Sequence, residues 1–471
     1  MSRLELLIDN IPQILDNLRE SPLWQVVVLA LIVYGLTALS GKARRKGGKV
    51  FFFVVLLGTA MGGSGILLLD NGVRANAYSV SDDVLAVAGY LQKEMPEDQV
   101  YVAASLKNEM QMYTAGIQLF SDEELGSEVI RNAAEQAGCE AGEYSVLENW
   151  LSGTTGVVQA AGFLNTHPDI AAVVLSGDEK TRRGMQECGW KAGTETGNYT
   201  VYVSDHTGWS MTEYGSASGE QALFYTLVNR KDGTLIVIDG GWTADEERVR
   251  QVIEAQGGTV DAWFLTHYHE DHIGAFNRIM EDPQGIEIRT IYISEPDPET
   301  LIASFREWDN PETFAAFQEV TAGSDKLVPL HRGDMLDIDG LQVQVFNAYA
   351  DDLPVKTKDL SNDLSLVLRF SGEEDSFLLC ADARGETIAK EMAEAFGEGL
   401  RSEYLQLGHH GNYGLPNAFY DMVGAETALF DAPAWLMQSD DYGMKELSGY
   451  LAASGLRIFD HSTAPNGFIL K

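Results

Sequence analysis

The chain of 471 residues is poor in cysteine and in basic side chains. Its three cysteines (Cys139, Cys188 and Cys380) are too few for a disulfide framework or a cysteine-rich zinc module. Cys139 and Cys188 either pair, if their region lies outside the cell, or remain buried thiols. Lysine and arginine number 33 against 70 aspartates and glutamates, a formal net charge of −37. Because nucleic-acid phosphates are held by clustered Lys and Arg, this balance argues against a general nucleic-acid binder.

Charge and hydropathy are unevenly distributed. Residues 1–71 hold seven basic and five acidic residues, whereas residues 72–471 hold 26 basic and 65 acidic ones, a net charge of −39. At 45% hydrophobic and 22% charged residues, the composition is that of a folded protein, and the length suggests roughly two or three domains.

Two uncharged apolar runs, residues 23–39 and 50–69, predict membrane spans. At about 1.5 Å per residue each is long enough to cross roughly 30 Å of hydrocarbon, the first only just. The loop SGKARRKGGK between them holds five basic residues, and basic loops stay in the cytoplasm. We therefore expect residues 1–71 to form a two-span transmembrane hairpin in the cell membrane, with the soluble domains extracytoplasmic. The alternatives are a buried helical hairpin, or a signal peptide followed by a core segment.

Residues 79–205 alternate between helical and extended patterns, which predicts a small α/β domain. Its predicted helices include one capped by Ser81 and others over 127–138 and 181–190. No phosphate-binding glycine loop, metal cluster or nucleophile motif stands out in it. Its role is either a spacer, a ligand-sensing module or a partner-binding surface.

The chemistry-bearing stretch begins with the strand TLIVIDGG, which ends at Asp239. Thr243 and Glu246 have the spacing of a capping box that starts the next helix, and DAWFLTH returns as a second strand. This strand delivers His267-Tyr-His269-Glu-Asp271-His272 at its carboxyl end, with three of the nine histidines of the chain. Zinc takes imidazole nitrogen and carboxylate oxygen. The cluster therefore predicts a metal site, with two ions about 3.5–4 Å apart activating a bridging water.

The pattern His267-x-His269-x-Asp271-His272, after the Asp239-Gly-Gly strand end, resembles the signature of the metallo-β-lactamase-fold hydrolases. The resemblance covers residues 206–471 and implies an α/β fold, a four-layer αβ/βα sandwich with the metal site at one edge. Asp382, after the strand SFLLCAD, matches the family's metal-bridging carboxylate. In the motif Gly-His409-His410-Gly, the resemblance favours His410 over His409 as the last ligand; the other histidine suits proton transfer.

One family feature is missing, a histidine between the first cluster and the bridging carboxylate. The only candidate, His331, is expected to be a loop residue. The resemblance then implies one metal held by His267, His269 and Asp382, and a second held by Asp271, His272, Asp382 and His410. Asn362 or Asp363 is a candidate to approach the first metal. The expected cofactor is two Zn²⁺ ions, with Mn²⁺ as the alternative.

The missing histidine, the turn SNDLSLVL, the FLLCAD strand end and the HHG motif are most similar to the hydrolase domain of DNA-uptake competence channels and its free-standing relatives. The resemblance implies a metal-dependent hydrolase of phosphoesters or phosphodiesters, with Asp271 and His409 in the chemistry. The expected partners are a small-molecule or cell-envelope ester and, through the hairpin, the membrane. Nucleic acid is disfavoured by charge, and the sequence does not give the oligomeric state. The rival functions are a catalytically impaired metal-binding sensor and an extracellular nuclease.

Trp435 and Tyr442, in DAPAWLMQSDDYG, either line the mouth of the site or pack in the core or a lid. His461, in RIFDHSTAPNG, is expected to be structural; the alternative is that it is the final metal ligand in place of His410.

Overall fold

The computed structural model describes residues 81–121 except 104–105, 108–109, 112 and 115, residues 145–461 except 154–155, and residues 465–471. The predicted membrane spans, the helix predicted over 127–138 and Cys139 lie outside the described residues. No helix among the described residues combines the length and apolar character that a bilayer crossing requires. Cys188 and Cys380 are buried free thiols, and burial raises the pKa of both.

The chain divides into two compact units. The first contains the described residues of Met1–Leu125 together with Ala172–Gly177 and Ala192–Val201. The second contains those of Gly126–Ala171, Asp178–Lys191 and Tyr202–Lys471. The second unit thus takes in segments upstream of residue 206, where the sequence places the start of the hydrolase domain, and that predicted boundary stays a prediction.

The upstream half of the described chain contains a five-stranded sheet of order β2-β1-β3-β5-β4. Its strands are β1 (Gln99–Val102), β2 (Gln118–Phe120), β3 (Ile170–Ser176), β4 (Trp190–Glu195) and β5 (Tyr199–Ser204). The helices here are α1 (Asp82–Glu94), α2 (Val146–Ser152), α3 (Gly156–Asn165) and α4 (Glu179–Glu187). Ser81 caps α1 as predicted, accepting a hydrogen bond from the Val84 amide.

Helix α4 starts and ends earlier than the predicted 181–190. The Asp178 side chain accepts hydrogen bonds from the amides of Lys180 and Thr181, which fixes the start of the helix. Trp190 already belongs to strand β4. The position of the Asp178 cap, and not the apolar pattern of the sequence, therefore determines where the helix begins.

Two seven-stranded sheets dominate the second unit, with orders β11-β10-β9-β8-β7-β6-β19 and β12-β13-β14-β15-β16-β17-β18. The first sheet contains β6 (Trp209–Glu213), β7 (Phe224–Asn229), β8 (Leu235–Asp239), β9 (Thr259–Leu265), β10 (Glu287–Ile293), β11 (Leu327–Pro329) and β19 (Asn466–Leu470). The second contains β12 (Met335–Ile338), β13 (Leu341–Asn347), β14 (Val367–Ser371), β15 (Ser376–Leu379), β16 (Tyr404–Gln406), β17 (Thr427–Phe430) and β18 (Arg457–Asp460). Strand β16, which we expected at an edge, lies between β15 and β17, with both of which it pairs in parallel.

Helices connect these strands. They are α5 (Glu246–Ala255), α6 (Glu270–Glu281), α7 (Pro298–Ser304), α8 (Pro311–Val320), α9 (Leu353–Lys356), α10 (Leu360–Asp363), α11 (Gly385–Phe396), α12 (Asn417–Val423), α13 (Ala434–Gln438) and α14 (Met444–Ala453). Short 3-10 turns cover Thr243–Asp245, Gly397–Leu400 and Gly408–Gly411.

Alternate residues of β8 pack into two different buried hydrophobic clusters. Ile236 and Ile238 share a buried cluster with Phe370 and Leu379 of the second sheet. Leu235 and Val237 belong instead to a cluster that includes residues of the helices, such as Val249 of α5. Side chains alternate across a strand, so each strand can contact both layers. This alternation is what a sandwich of two sheets with outer helices requires.

The predicted capping box before α5 is wrong. The Thr243 hydroxyl donates instead to the Glu270 carboxylate, 2.9 Å away. Asp245 closes the turn, since its carboxylate accepts hydrogen bonds from the backbone amides of Trp242 and Ala217. Thr243 therefore does not cap the helix, because its hydroxyl contacts the tertiary partner Glu270 instead.

Candidate metal centre

Three strand ends deliver the predicted ligands to one place. Strand β9 ends two residues before His267, and His269 is the N-cap of helix α6, whose first turn carries Asp271 and His272. In the second sheet, Asp382 follows β15 and His410 follows β16. The carboxyl ends of parallel strands meet at one edge of a sheet, which is why residues so distant in sequence converge.

The first group consists of His267, His269 and Asp382. His267 Nε2 lies 3.0 Å from His269 Nδ1 and 3.9 Å from Asp382 Oδ2. The second group consists of Asp271, His272 and His410. His410 Nε2 lies 3.2 Å from Asp271 Oδ2, and His272 Nε2 lies 3.2 Å from Asp382 Oδ1.

Asp382 contacts both groups, because its Oδ2 also lies 3.6 Å from His410 Nε2. The structure therefore brings all six predicted ligands together, with Asp382 between the two groups, although their role as ligands stays a prediction.

The carboxylates of Asp239 and Asp309 orient His272 and His269 by contacting the ring nitrogen that faces away from the cluster. Asp239 Oδ2 lies 2.7 Å from His272 Nδ1, which leaves His272 Nε2 facing the cluster. Asp239 is itself fixed by the amide and hydroxyl of Thr266. Asp309 Oδ1 lies 2.6 Å from His269 Nε2, so His269 presents Nδ1. Such carboxylate–histidine pairs fix the tautomer and orientation of metal-binding imidazoles.

Sequence reasoning missed Asp309. It lies in the loop before α8, 40 residues after His269, and no motif marks it. In the sequence, Asp239 is marked only by its position at the end of a predicted strand.

The donor set fits divalent metal ions. Three of its atoms, His272 Nε2, Asp382 Oδ1 and His410 Nε2, are buried without a hydrogen-bond partner, which is rare for buried polar groups. Burial disfavours the charged form of His272, but the carboxylates of Asp382, Asp271 and Asp239 outweigh burial and raise its pKa. The cluster thus attracts positive charge, and a divalent cation supplies it.

The two adjacent histidines differ in their surroundings. Both have φ of 54°, an uncommon backbone conformation that the tight Gly408–Gly411 turn imposes. His410 is buried within the second group. His409 binds the Asn412 carbonyl through Nδ1 at 2.5 Å, its Nε2 lies 3.9 Å from Asp382 Oδ2, and its side chain is 21% exposed. The geometry thus places His410 with the predicted ligands and His409 at the solvent side.

The remaining candidates lie as follows. His331 is an exposed loop residue, as expected, and stays outside the cluster. Asn362 is buried and lines the cavity beside the cluster, with its Oδ1 unpartnered. Asp363 is engaged elsewhere, by the Thr357 hydroxyl and the Arg384 amide.

A cavity of about 690 Å³ opens at the cluster. His269, Asp271, Asp382, His409 and His410 line it, together with the aromatic side chains of Trp242, Trp308, Tyr413 and Tyr442. Among the described residues that line it, Arg384 is the one Lys or Arg. Tyr442 is thus at the mouth, whereas Trp435 donates its indole N–H to the Gly219 carbonyl and is not among the lining residues.

Comparisons with known proteins find a matching family. Residues 221–388 match the family model of the metallo-beta-lactamase superfamily, so this segment is similar to that superfamily. The prediction of a hydrolase of the metallo-β-lactamase fold is confirmed at the level of the family model. Nothing in the comparisons supports a specific relationship to competence channels, and no curated protein matches the chain.

Some solved structures are similar to part of this chain. The metallo-beta-lactamase fold protein YhfI from Bacillus subtilis is 13% identical, with 54% of this chain and 98% of that chain covered and a TM-score of 0.35. Igni18, a metallo hydrolase from Ignicoccus hospitalis, is 13% identical, with 56% and 100% covered and a TM-score of 0.35. MEM-A1, a subclass B3 metallo-beta-lactamase from a soil metagenome library, is 13% identical, with 43% and 78% covered and a TM-score of 0.30.

Proposed function

We propose that the chain is a membrane-anchored hydrolase that cleaves phosphoesters or phosphodiesters with two divalent metal ions. The observation that carries the proposal is the position of Asp382 between two groups of ligands at a cavity of about 690 Å³. His267, His269 and Asp382 would hold one metal, and Asp271, His272, Asp382 and His410 the other, with Zn²⁺ preferred over Mn²⁺ for the four imidazoles. When bound, such a pair lowers the pKa of a shared water and polarises the ester oxygen.

The side chains around the cavity have separate tasks. Asp271 faces the cavity and can accept a hydrogen bond from the attacking water, which orients it. His409 presents Nε2 at the cavity while its Nδ1–H donates to the Asn412 carbonyl, so the neutral ring can accept a proton through Nε2 and pass it to the leaving group.

Arg384 is placed to bind an anionic substrate. One of its guanidinium nitrogens contacts Asp359 at 3.0 Å, and the other N–H groups remain for an anionic ester oxygen. This cation at the cavity favours phosphoesters over neutral esters.

Membrane anchoring is supported by the two apolar runs and the five-charge loop between them. The acidic charge of residues 72–471 favours small esters of the cell envelope or the medium over long polyanions. A metal-binding sensor is the second candidate, because the first group contains three ligands without the additional histidine of many relatives.

Turnover by the purified full-length protein tests the proposal. The protein would be assayed with zinc or manganese on phosphomonoester, phosphodiester, lactam and nucleic-acid substrates. We expect turnover of a phosphoester or phosphodiester, and loss of more than about 100-fold in His269→Ala and Asp382→Ala, since even residues supporting metal ligands contribute 10–100-fold. His331→Ala is the matched control, because it removes an exposed histidine outside the cluster.

Two results would contradict this function. Unchanged turnover in both ligand variants would exclude the proposed site. Bound metal without turnover of any ester class would favour the sensor.

A further inference from the structure

A second cluster of metal-ligating side chains lies in the same compact unit and uses none of the six residues above. Glu213 is the last residue of β6, Asp431 directly follows β17, and His461 directly follows β18. Strand β6 belongs to the first seven-stranded sheet, and β17 and β18 belong to the second. The cluster therefore spans the two sheets at the end where β19 and β18 are the last strands.

The distances suit one small cation. His461 Nε2 lies 3.4 Å from Glu213 Oε1 and 4.0 Å from Asp431 Oδ1. Zinc bonds of about 2.0–2.2 Å place tetrahedral ligand atoms roughly 3.3–3.6 Å apart. The three ligand atoms all lie within 4.8 Å of one another, so the side chains would need to move inward by up to about 1 Å to bind one cation.

Donor atoms in the cluster lack partners. Glu213 Oε1 and both ring nitrogens of His461 are buried without a hydrogen bond, and these side chains are 0% and 3% exposed. The 3.4 Å contact between Glu213 Oε1 and His461 Nε2 is not a hydrogen bond. These atoms are therefore available to a metal ion. Buried polar atoms otherwise almost always find a partner.

The opposite carboxylate oxygens are held in place. Asn466 Nδ2 donates to Glu213 Oε2 at 2.7 Å, and Gln406 Nε2 donates to Asp431 Oδ2 at 2.6 Å. Such supporting bonds orient ligands for a metal. The metal-facing Oδ1 of Asp431 accepts a hydrogen bond from the Tyr225 hydroxyl at 2.5 Å, which leaves its second lone pair for a cation.

Two buried carboxylates also need a countercharge. Glu213 and Asp431 are both fully buried, and no lysine or arginine pairs with either among the described residues. A divalent cation would neutralise both charges, whereas two uncompensated charges side by side are costly.

We propose that Glu213, Asp431 and His461 bind a structural zinc ion that ties the end of the first sheet to the second. Imidazole and carboxylate ligands in a closed, buried site are typical of zinc and not of calcium or magnesium. The ion is separate from the metals of the proposed catalytic site.

Metal content of the full-length protein tests this site. The purified protein would be saturated with zinc, freed of excess metal and analysed for zinc per chain, together with Glu213→Gln, Asp431→Asn and the double variant His272→Ala/Asp382→Ala, which leaves two ligands in each group of the proposed catalytic site. Both single variants are close in shape to the native residue. Glu220→Gln is the matched control, because this glutamate is exposed in the loop before β7.

We expect Glu213→Gln and Asp431→Asn each to bind one zinc fewer than the native chain and Glu220→Gln. The double variant should keep one zinc and lose it when Glu213→Gln is added. Equal zinc content in Glu213→Gln, Asp431→Asn and the native chain would overturn the proposal, as would a double variant without bound zinc.

Thermal unfolding separates loss of the ion from loss of the fold. In the double-variant background, zinc should raise the Tm, and adding Glu213→Gln should remove that shift while leaving a cooperative transition. Without zinc, Glu213→Gln should unfold at the same or a higher Tm, because it removes a buried charge. A zinc-induced shift of equal size in the presence of Glu213→Gln would contradict the proposal.

Discussion

Asp309 controls which nitrogen His269 offers to a metal. Its Oδ1 lies 2.6 Å from His269 Nε2, and its Oδ2 accepts a hydrogen bond from the Arg306 amide. An amide in place of this carboxylate would bind His269 more weakly and in either orientation. We expect Asp309→Asn to lower zinc affinity or activity by about 10–100-fold. Competition with a chelator measures the affinity.

Asp297→Asn is the control for this prediction. Asp297 also accepts a backbone hydrogen bond in a loop, from the Thr300 amide at the start of α7, but it is not a partner of His269. Its replacement should leave zinc affinity unchanged. If Asp309→Asn and Asp297→Asn bind zinc equally well, Asp309 does not position His269.

At the scale of single residues, the sequence predicts side chains that a local pattern marks. The six proposed ligands follow strand ends in short motifs, so their convergence could be expected. Asp309 contacts His269 from a loop 40 residues away, and nothing near it in sequence reveals this contact. Thr243 shows the opposite error. Its local pattern predicted a helix cap, but its hydroxyl instead donates to a tertiary partner, Glu270.

At the scale of elements, helix α3 crosses strand β19 at two glycines. A Cβ on Gly467 would lie 2.1 Å from the Gly162 amide nitrogen, and a Cβ on Gly162 would lie 1.7 Å from the Pro465 carbonyl oxygen. We expect Gly467→Ala to lower the free energy of unfolding by about 1–3 kcal/mol, the usual cost of overpacking. Denaturant titration measures the change.

Gly449→Ala, in helix α14, is the matched substitution with open space around the new methyl group. Alanine is favoured over glycine in a helix by about 1 kcal/mol, so this variant should be as stable as the native protein or more so. Equal unfolding free energies for Gly467→Ala and Gly449→Ala would show that α3 and β19 are not in close contact.

Element prediction succeeded where periodicity is strong and failed where distant partners decide. The strands predicted over 234–241 and 261–267 are present as β8 and β9, and the helix predicted between them is α5. Strand β19, however, pairs antiparallel with β6, and Asn466 is opposite Glu213. A pairing between residues so far apart in sequence leaves no local pattern, so the closure of the first sheet could not be predicted.

At the scale of the whole molecule, the signature motif predicted the superfamily but not how the chain divides into compact units. Composition and charge gave the acidic character of residues 72–471. The placement of α2, α3 and α4 in the second unit depends on tertiary contacts of helices that carry no signature. The start of an independently stable fragment therefore follows from packing and not from the motif.

A fragment of residues 206–471 should consequently be less stable than one of residues 79–471. Helix α3 contributes Val158 to the buried cluster that contains Trp209 and Met211, and its Asn165 side chain donates hydrogen bonds to the Met211 carbonyl and the Thr212 hydroxyl. Each fully buried apolar side chain contributes about 1.5–3 kcal/mol, a large share of a typical total of about 5–15 kcal/mol.

Both fragments would be purified and compared by thermal unfolding and size-exclusion chromatography. We expect the longer fragment to be monodisperse or a defined oligomer with a cooperative transition, and the shorter one to have a lower Tm or to aggregate through the exposed face of β6 and β19. The variant Gly467→Ala provides the internal control, because it should lower the Tm of the longer fragment and have little effect on the shorter one, which lacks α3. Equal stability of the two fragments would place the boundary of the stable domain at residue 206. Helix α3 would then be dispensable for the two sheets that hold the metal ligands.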